Sequence, residues 1–576
     1  MRNLLLAGAV ISTFTSAAHA QSSLVYSGSP FHGLNSLPWV QREADTIHVV
    51  VSDHTQTLPY VPELQYVRSA DAGRSWAPAV NLGAWSGRNA AVASAGQRVH
   101  VLHSGSFLRS ADDGVTWQSS PNPTGLGVVA ADAAGMRCHV LLGTFQGPLR
   151  FVQTLDGGVT WRSPQSLGSW TTGDSQPRLI VDGVTLHVAW NDNWQTRYQR
   201  SVDGGATWLP AAQVLGPSQH DQLAVSGNYV HMLNTDSTTI SYLRSIDGGV
   251  SWQTPITVTR NGWPQLAVAG SNVYVLGGLS VGLPGLALLR STDDGASWSG
   301  QSLGPDTASF AIAARDNVVC AAWSAPSMHG IAVSADAGAT WTTNSGASGG
   351  MPLDQFTISI RPPVVGVGWM RRTIIFGPVW TGTQLYVSGD VGATWHLDET
   401  FGTYWSAGPA AFVEGNDACG FLWSNGGSTN GSTINPTNLY YRAIHGHEPY
   451  GSGKAGTGAI VPRLETAVPP LLGNTATIAL TGVVGGTLAM HAVSFVGKAN
   501  SPLGGGVLLL APPVVGLPGL TSGIVGQPGA GSLTLPLAIP NSASLHQLRV
   551  WFQGFALDAN AADGFSSSAG LMLRIL

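Results

Sequence analysis

The octapeptide Ser201-Val202-Asp203-Gly204-Gly205-Ala206-Thr207-Trp208 decides the fold, because its pattern recurs along most of the chain. The template is Ser/Thr-x-Asp-x-Gly-x-Ser/Thr-Trp, and eight segments match it at every fixed position. We call each copy a turn repeat. The copies span residues 69–76, 110–117, 154–161, 201–208, 245–252, 291–298, 334–341 and 388–395.

Each fixed position of the turn repeat has a physical role. An Asp followed two residues later by Gly favours a tight turn, because the carboxylate accepts backbone hydrogen bonds and Gly adopts positive φ without steric cost. The hydroxyl residues can close the loop with further side-chain-to-backbone hydrogen bonds. The Trp is predicted to anchor the turn in the core, where its burial stabilises by roughly 4–6 kcal/mol per repeat as an upper bound.

The repeated aspartates could be structural, or they could be eight catalytic or calcium-binding groups. An active site is usually built once in a chain, whereas a stabilising turn is built once per repeat. We therefore predict a structural role for Asp71, Asp112, Asp156, Asp203, Asp247, Asp293, Asp336 and Asp390.

The spacing of these aspartates, 41 to 54 residues, suits one four-stranded propeller blade per repeat. Short apolar runs separated by Gly or Asn turns, such as 221–226 and 229–234, are typical of strands. After the last repeat, residues 410–414, 418–424 and 439–443 indicate three more strands, and residues 23–28 can supply a fourth that closes the ring. We predict an all-β propeller of eight or nine four-stranded blades, nine being favoured; residues 371–381 could instead be an insertion.

The turn repeats resemble the Asp-box, or BNR repeat, of bacterial sialidases and related β-propellers. The resemblance covers residues 23–444 and implies an Asp-box β-propeller. In that family the box joins the third and fourth strands of a blade, away from the catalytic face. The same box occurs in xyloglucan-cleaving glucanases, sortilin-type receptors and photosystem assembly factors, so the resemblance specifies architecture more than chemistry.

Four segments are predicted along the chain. Residues 1–20 have the pattern of a secretory signal peptide, with Arg2, an apolar run and Ala18-His19-Ala20, so export from a bacterium is expected. Residues 21–445 form the propeller, 446–460 a Gly-rich linker, and 461–576 a small β-sandwich. The last segment resembles C-terminal modules of secreted planctomycete and myxobacterial proteins, which have Cys where Lys454 stands. A membrane span over 478–496 is the disfavoured alternative.

Composition excludes some functions. Charged residues are 10% of the chain, the net charge is −5 and no basic cluster occurs, which disfavours nucleic acid as a partner. Cys138, Cys320 and Cys419 lie in apolar strands of separate blades, so we expect buried free thiols. We predict no cofactor, no metal site and no membrane span, and we expect a monomer.

A single asymmetric site requires residues that differ from blade to blade. In propellers, the loops that lead into each innermost strand, and those joining the second and third strands, gather over the central channel. The first set here offers Arg88, Asp174, His220, Asp221, Arg260, Trp263, Asp306, Asp354, Tyr404 and Trp405. The second set offers Asp53, His54, Asp192, Trp194, Asp236 and His329.

We predict catalytic roles for Asp174, Asp221 and Arg260. Ligand-binding roles are predicted for Arg88, Asp192, Trp194, His220, Trp263, Tyr404 and Trp405. Any one of these residues could be a solvated loop residue. As a group they suit a sugar, because indoles stack on its ring and charged groups bind its hydroxyls.

The sialidase resemblance implies three arginines on a substrate carboxylate, a Tyr nucleophile assisted by Glu, and an Asp acid/base. The family's Arg-Ile-Pro motif is absent, and Glu414 near Tyr404 or Glu63 near Tyr60 are the available Tyr/Glu pairs. A different set of arginines directly precedes turn repeats and is predicted to be scaffold: Arg68, Arg109, Arg200, Arg244 and Arg290.

Three functions therefore stay open. A non-catalytic propeller that binds a glycan or an extracellular protein is slightly favoured. The alternatives are an exo-sialidase-type glycoside hydrolase or polysaccharide lyase, and a structural protein of the cell envelope.

Overall fold

The computed structural model describes residues 23–575 with internal gaps, and the chain divides into a first unit, Ser22–Ala443, and a second that contains Ile444–Leu576. The gaps are 28–38, 44–45, 55–61, 71–74, 86–89, 172–175, 210–212, 219, 237, 260–263, 279–282, 308, 326–327, 348–354, 363, 375–377, 389–390, 394, 402–410, 415–418, 426–427, 431–432, 436–437, 445–446, 467–469, 471–472, 474, 543–544 and 546–547. Within some strands only the backbone is described.

The described residues of the first unit form nine four-stranded antiparallel sheets, which we number as blades in chain order. Blades 1 to 3 comprise Trp39–Glu43, Thr46–His54, Pro62–Ser69 and Val80–Ala84; Ala91–Ala95, Arg98–Leu102, Ser106–Ser110 and Gln118–Pro121; and Gly127–Ala134, Arg137–Gly143, Gly147–Thr154 and Gln165–Trp170. Blades 4 to 6 comprise Arg178–Asp182, Thr185–Asp192, Gln195–Ser201 and Gln213–Pro217; His220–Ser226, Tyr229–Thr235, Thr239–Ser245 and Ile256–Thr259; and Gln265–Ala269, Asn272–Gly278, Leu286–Ser291 and Ser299–Gly304.

The remaining blades complete the unit. Blades 7 and 8 comprise Ser309–Arg315, Val318–Ala325, Met328–Ser334 and Thr342–Ala347; and Gln355–Arg361, Val364–Ile374, Pro378–Ser388 and His396–Phe401. Blade 9 comprises Ala411–Glu414, Cys419–Asn425 and Asn438–Ile444, with Ser23–Ser27 as its fourth strand. A small hairpin, Ser428–Asn430 with Thr433–Asn435, lies between two strands of blade 9.

The blades form a closed ring. The first strand of each blade contacts the first strand of the next, and the first strand of blade 9 contacts that of blade 1. Apolar clusters straddle neighbouring blades, as where Leu439 of blade 9 packs with Ile47 and Val67 of blade 1. This architecture is a β-propeller, so the predicted fold class is confirmed. The predicted use of the N-terminal strand to complete the last blade is also confirmed, because Ser23–Ser27 pairs antiparallel with Asn438–Ile444.

The core of the ring lies between the blades and draws mainly on their second strands. In blade 7, Val319, Cys320, Ala321 and Ala322 have no exposed surface. Cβ atoms alternate between the two faces of a strand, so such a run packs against the preceding and the following blade at once. Cys138 and Cys320 are buried free thiols, as expected, whereas the side chain of Cys419 lies outside the described residues.

Each turn repeat docks on the blade that precedes it. The Trp252 indole of blade 5 packs edge-on against the Tyr198 ring of blade 4, with centroids 5.1 Å apart. A Cβ on Gly249 would collide with the Tyr198 hydroxyl, and the Gly249 φ of +87° also disfavours any other residue. The invariant Gly is thus explained by a close approach between blades. The Trp residues of the repeats are partly buried and pack against the apolar clusters between blades, so the predicted anchoring of the turns in the core is confirmed.

The long interval before the eighth turn repeat is an extended hairpin rather than a separate insertion. The second and third strands of blade 8, Val364–Ile374 and Pro378–Ser388, each have eleven residues and pair from Val365↔Ser388 to Ile374↔Pro378. Residues 371–374 and 378–381 therefore continue the blade past the length of the other hairpins.

The second unit is all-β. Its strands are His447–Tyr450, Arg463–Thr466, Thr475–Val483, Leu488–Ser494, Lys498–Leu503, Gly506–Leu510, Val515–Leu520, Gly531–Ala538, Arg549–Leu557 and Phe565–Arg574, with short 3-10 turns at Thr457–Ala459 and Ala562–Gly564. A five-stranded and a three-stranded sheet share a core in which Ile478 meets Val493 and Phe552. Residues 478–496, considered above as a span, form parts of two strands, and among the described residues no helix is both long and apolar enough to cross a membrane.

The stretch 446–460 differs from its prediction as a linker. His447–Tyr450 is an edge strand paired with Phe565–Arg574, and the Lys454 and Ser567 backbones exchange hydrogen bonds of 2.8 and 3.1 Å. The Lys454 ammonium also lies 2.8 Å from the Asp563 carboxylate and 4.0 Å from the Phe565 ring centroid. These contacts make the predicted linker part of the second unit.

Candidate functional site

The ring has two chemically different ends. The turn repeats join third and fourth strands at one end, which we call the repeat end. The turns between first and second strands are at the same end, as shown by the hydrogen bond from Gly204 N to Val184 O. The loops that lead into first strands, and the turns between second and third strands, lie at the opposite end, which we call the variable end.

Hydrogen bonds within the turn itself occupy the repeated aspartates. In blade 4, Asp203 accepts bonds from the Ser201 hydroxyl at 2.8 Å, the Thr207 N–H at 2.9 Å and the Thr207 hydroxyl at 2.6 Å. The Gly205 N–H donates to the Ser201 hydroxyl oxygen. The same set recurs in the described repeats of blades 2, 3, 5, 6 and 7.

These bonds stabilise the ionised carboxylate. The hydrogen bonds from Thr207 and Ser201 lower the pKa of Asp203 to about 2, and the equivalent bonds do the same for Asp112, Asp156 and Asp247. A carboxylate that stays ionised and bonded within its own turn is suited to structure rather than to proton transfer. Asp71 and Asp390 lie outside the described residues.

Three of the arginines before the turn repeats connect neighbouring blades, whereas Arg109 donates to Gln118 of its own blade. Arg68 of blade 1 donates to the backbone oxygen of Asp113 at 2.8 Å and pairs with its carboxylate at 2.9 Å, in the turn repeat of blade 2. Arg200 and Arg244 likewise donate to backbone oxygens in the next repeat, at Gly248 and Asp294. This recurrent contact is a scaffold function.

At the variable end, many predicted site residues fall in the gaps of the description. The residues concerned are Arg88, Asp174, Arg260, Trp263, Asp354, Tyr404 and Trp405. His220 and Asp221 begin the first strand of blade 5, where their backbones pair with Thr235 and Asn234, and their side chains are not described. The predicted catalytic trio therefore lies outside the described side chains.

The described part of the variable end centres on the turn between the second and third strands of blade 4. Asn193 and Trp194 form its tip with φ of 52° and 59°, and the Trp194 residue is 50% exposed. Asp192 accepts a hydrogen bond from the Thr171 hydroxyl at 2.9 Å, and the Asn193 N–H donates to the same hydroxyl at 2.7 Å. Thr171 belongs to the loop from blade 3, so this turn is held against its neighbour.

Arg197 completes this group from the third strand of blade 4. Its Nη2 lies 3.6 Å from Asp192 Oδ2, which is an ion pair but longer than a hydrogen bond. Both side chains are partly exposed, at 29% and 27%. Arg197 Nε is buried and has no hydrogen-bond partner in the described part of the chain.

Phe145 occupies the equivalent turn of blade 3 and is 55% exposed. Its ring packs edge-on against Trp170, with centroids 5.6 Å apart, and Trp170 immediately precedes Thr171. Sequence reasoning missed Phe145 and Arg197. Aligning the turns between second and third strands would have placed Phe145 opposite Trp194, whereas Arg197 lies within a strand and has no distinguishing pattern.

Other predicted residues of this end have local structural roles. Asp236 accepts hydrogen bonds from the N–H groups of Thr238 and Thr239, both at 2.7 Å, and these bonds lower its pKa despite partial burial. Asp53 is buried within a strand, and His329 packs against the Trp369 ring with centroids 4.6 Å apart. Asp306 is exposed, and the His54 side chain is not described.

Raised carboxyl pKa values occur elsewhere. Burial raises the pKa of Asp113, Asp132 and Asp294. Asp113 and Asp294 lie in turn repeats, and Asp132 lies near the turn between the first and second strands of blade 3, so all three are at the repeat end. Over the described residues, no three His, Cys, Asp or Glu side chains come together as metal ligands.

No family model and no curated protein matches the chain. Among solved structures, the chain is similar to the WD40 domain of SCAP from fission yeast, with 8% identity, a TM-score of 0.38, and coverage of 75% of this chain and 97% of that one. It is also similar to a polysaccharide lyase of family PL25, an ulvan lyase, with 12% identity, a TM-score of 0.33 and coverage of 74% and 96%.

A third similar structure is the β-propeller domain of the Trilobed protease from Pyrococcus furiosus, with 9% identity, a TM-score of 0.34 and coverage of 65% and 97%. Similarities at this level say nothing about ligands. The chain is a β-propeller protein on the independent ground of its own sheets and ring contacts.

Proposed function

We propose that this chain is an Asp-box (BNR repeat) propeller of the sialidase-like superfamily that binds glycans at its variable end without turning them over. The observation that carries the proposal is Trp194, half-exposed at the tip of a fixed turn, two residues after Asp192 and three before Arg197, which form an ion pair. The eight turn repeats and their docking between blades support the superfamily assignment.

The residue types at this turn suit a sugar. An indole offers a flat apolar face, and carbohydrate rings present C–H groups that pack on such a face. Asp192 supplies acceptors and Arg197 supplies donors, and sugar hydroxyls can satisfy both. A large aromatic residue held exposed at a loop tip also favours a binding role over a purely structural one.

Binding is favoured over catalysis by the position of the perturbed acids. A general acid needs a pKa raised toward the working pH inside the reacting pocket. Among the described carboxyl groups, those with raised pKa values are Asp113, Asp132 and Asp294, and none of them is at the variable end.

The test is binding of the purified chain to a panel of polysaccharides and oligosaccharides, by affinity electrophoresis and calorimetry, with product analysis of the same mixtures. We expect retention on at least one glycan, loss of retention in Trp194→Ala, and no released sugar. Val202→Ala is the matched control, because Val202 is 51% exposed at the repeat end of the same blade.

Two results would overturn the proposal. Absence of binding across the panel by a folded protein would remove the glycan function. Release of reducing sugar or an unsaturated product would favour the enzyme alternative, and Asp174→Asn, Asp221→Asn and Arg260→Ala would then test the predicted catalytic residues.

Export belongs to the same proposal and rests on residues 1–20. We expect the protein in the extracellular or periplasmic fraction with a new N-terminus at Gln21. Recovery of an intact Met1 from the cytoplasm would contradict it.

A further inference from the structure

We propose that the seam between blades 3 and 4 is a subsite for a neutral sugar unit, which it recognises through a pair of adjacent hydroxyls. The seam comprises Phe145, Trp170, Thr171, Asp192, Trp194 and Arg197. This inference rests on the proposed glycan binding and adds both a location and a ligand class.

Two exposed aromatic side chains flank the polar group of this seam. Phe145 and Trp194 are at the tips of equivalent turns in adjacent blades and are 55% and 50% exposed. Phe145 is supported from below by Trp170, which is 8% exposed. A supported and exposed ring loses little conformational entropy when a ligand stacks on it, so it suits recognition of a sugar face.

Asp192 and Arg197, the polar group of the seam, are held by Thr171 on one side and have unused hydrogen-bonding capacity on the other. Thr171 holds Asp192 through Oδ1, which leaves Oδ2 facing Arg197 across 3.6 Å. At that separation neither group completes a direct hydrogen bond with the other. One hydroxyl of a diol can donate to Asp192 while its neighbour accepts from Arg197, so the pair can grip two adjacent hydroxyls.

Charge decides the ligand class. The Arg197 charge is compensated by Asp192, so the pair as a whole has no net formal charge. A sugar carboxylate that approached Arg197 would come close to the Asp192 carboxylate and be repelled by it. Neutral hydroxyls bear no such penalty. Arg178 starts the first strand of blade 4, two residues before Ile180, and therefore shares a face of the strand with it. The Ile180 side chain packs toward blade 5, so Arg178 does not face this seam.

The experiment compares neutral and carboxylated glycans on the full-length processed protein, using neutral mannan, xylan and β-glucan against polygalacturonate, alginate and a sialyl-oligosaccharide. We expect binding of a neutral glycan with little dependence on salt concentration. Phe145→Ala should weaken it about tenfold or more, whereas Val159→Ala, 57% exposed at the repeat end of blade 3, should not.

Asp192→Asn is the diagnostic variant. It keeps an oxygen for Thr171 but leaves Arg197 uncompensated, so affinity for the neutral glycan should fall and affinity for carboxylated glycans should rise. The Kd values of both classes are measured for each variant.

The outcomes separate this inference from the proposed function. Salt-sensitive binding of carboxylated glycans alone by the wild-type protein would overturn the ligand class while glycan binding stands. Neutral binding that Phe145→Ala leaves unchanged would overturn the location. No binding of either class would overturn both.

Discussion

The two ends of the propeller are built from the same strands but differ in what their turns satisfy. At the repeat end, Asp203 and its equivalents use their hydrogen-bonding capacity within the turn, and Arg68, Arg200 and Arg244 tie each blade to the next. At the variable end, Trp194 and Phe145 are left exposed beside an ion pair with unused capacity. Stabilising contacts are therefore concentrated at one end, and recognition is what we propose for the other.

The strongest way to break this contrast is to add a methyl group at the repeat end. In Gly249→Ala the new Cβ collides with the Tyr198 hydroxyl, and the backbone φ of +87° is strained for alanine. We therefore expect a loss of about 3 kcal/mol or more in unfolding free energy. Gly270→Ala is the control, because its φ is +58° and nothing lies within 4 Å of the added Cβ. Urea unfolding measures both, and equal losses would show that backbone strain alone explains the invariant Gly.

Acid should destabilise the blades that contain a buried histidine before it destabilises blades 6 to 8. Burial lowers the pKa of His48, His100, His187 and His231 to about 4, and each stands opposite the residue before a turn repeat. The unfolded chain, with histidine pKa values of about 6.5, binds more protons between these limits. Stability is therefore present above pH 6.5 and is lost as pH falls toward about 4, by roughly 1–3 kcal/mol for each histidine.

Blades 6 to 8 provide the internal comparison for this pH effect, because Tyr274, Cys320 and Gly366 occupy the matching positions. Burial also lowers the pKa of His139 at the same position of blade 3. Hydrogen exchange, corrected for its intrinsic pH dependence, should therefore show blades 1 to 5 losing protection first as pH falls from about 7 to about 4.5. Equal loss in both sets of blades would contradict the assignment.

A smaller loss is expected from one aspartate of the repeat end. Asp203→Ala removes the acceptor of the Ser201 and Thr207 hydrogen bonds, but the carboxylate is exposed and water replaces part of them. We expect roughly 1 kcal/mol in urea unfolding. Val202→Ala, at a residue that is 51% exposed in the same turn repeat, is the control and should be nearly neutral; equal losses would contradict the structural role of the aspartate.

The smallest effect on stability should come from the variable end itself. Trp194→Ala removes a half-exposed side chain and should change the unfolding free energy by less than about 0.5 kcal/mol. The same change should lower glycan affinity about tenfold or more. A marked drop in thermal midpoint would place Trp194 with the scaffold and weaken the contrast between the ends.

Local chemistry explains what the sequence predicted. The turn repeat is stabilised by bonds within eight residues, so its pattern indicated eight blades. The apolar runs after the last repeat and at residues 23–28 indicated a ninth blade and its closure by Ser23–Ser27. The His447–Tyr450 strand was missed because its partner, Phe565–Arg574, lies more than a hundred residues away. Phe145 was missed because the turn that it occupies has no repeated sequence pattern. Its proposed binding role also depends on packing against Trp170, which the sequence does not show.

Closure of the ring joins the beginning of the propeller unit to its end. Ser23–Ser27 finds its partner, Asn438–Ile444, only after the other eight blades have been synthesised. The earliest strand must therefore wait unpaired while the rest of the toroid assembles. Synthesis of Asn438–Ile444 and closure of the ring therefore coincide, and a chain that ends before this strand carries an open β-edge available to a chaperone or another chain.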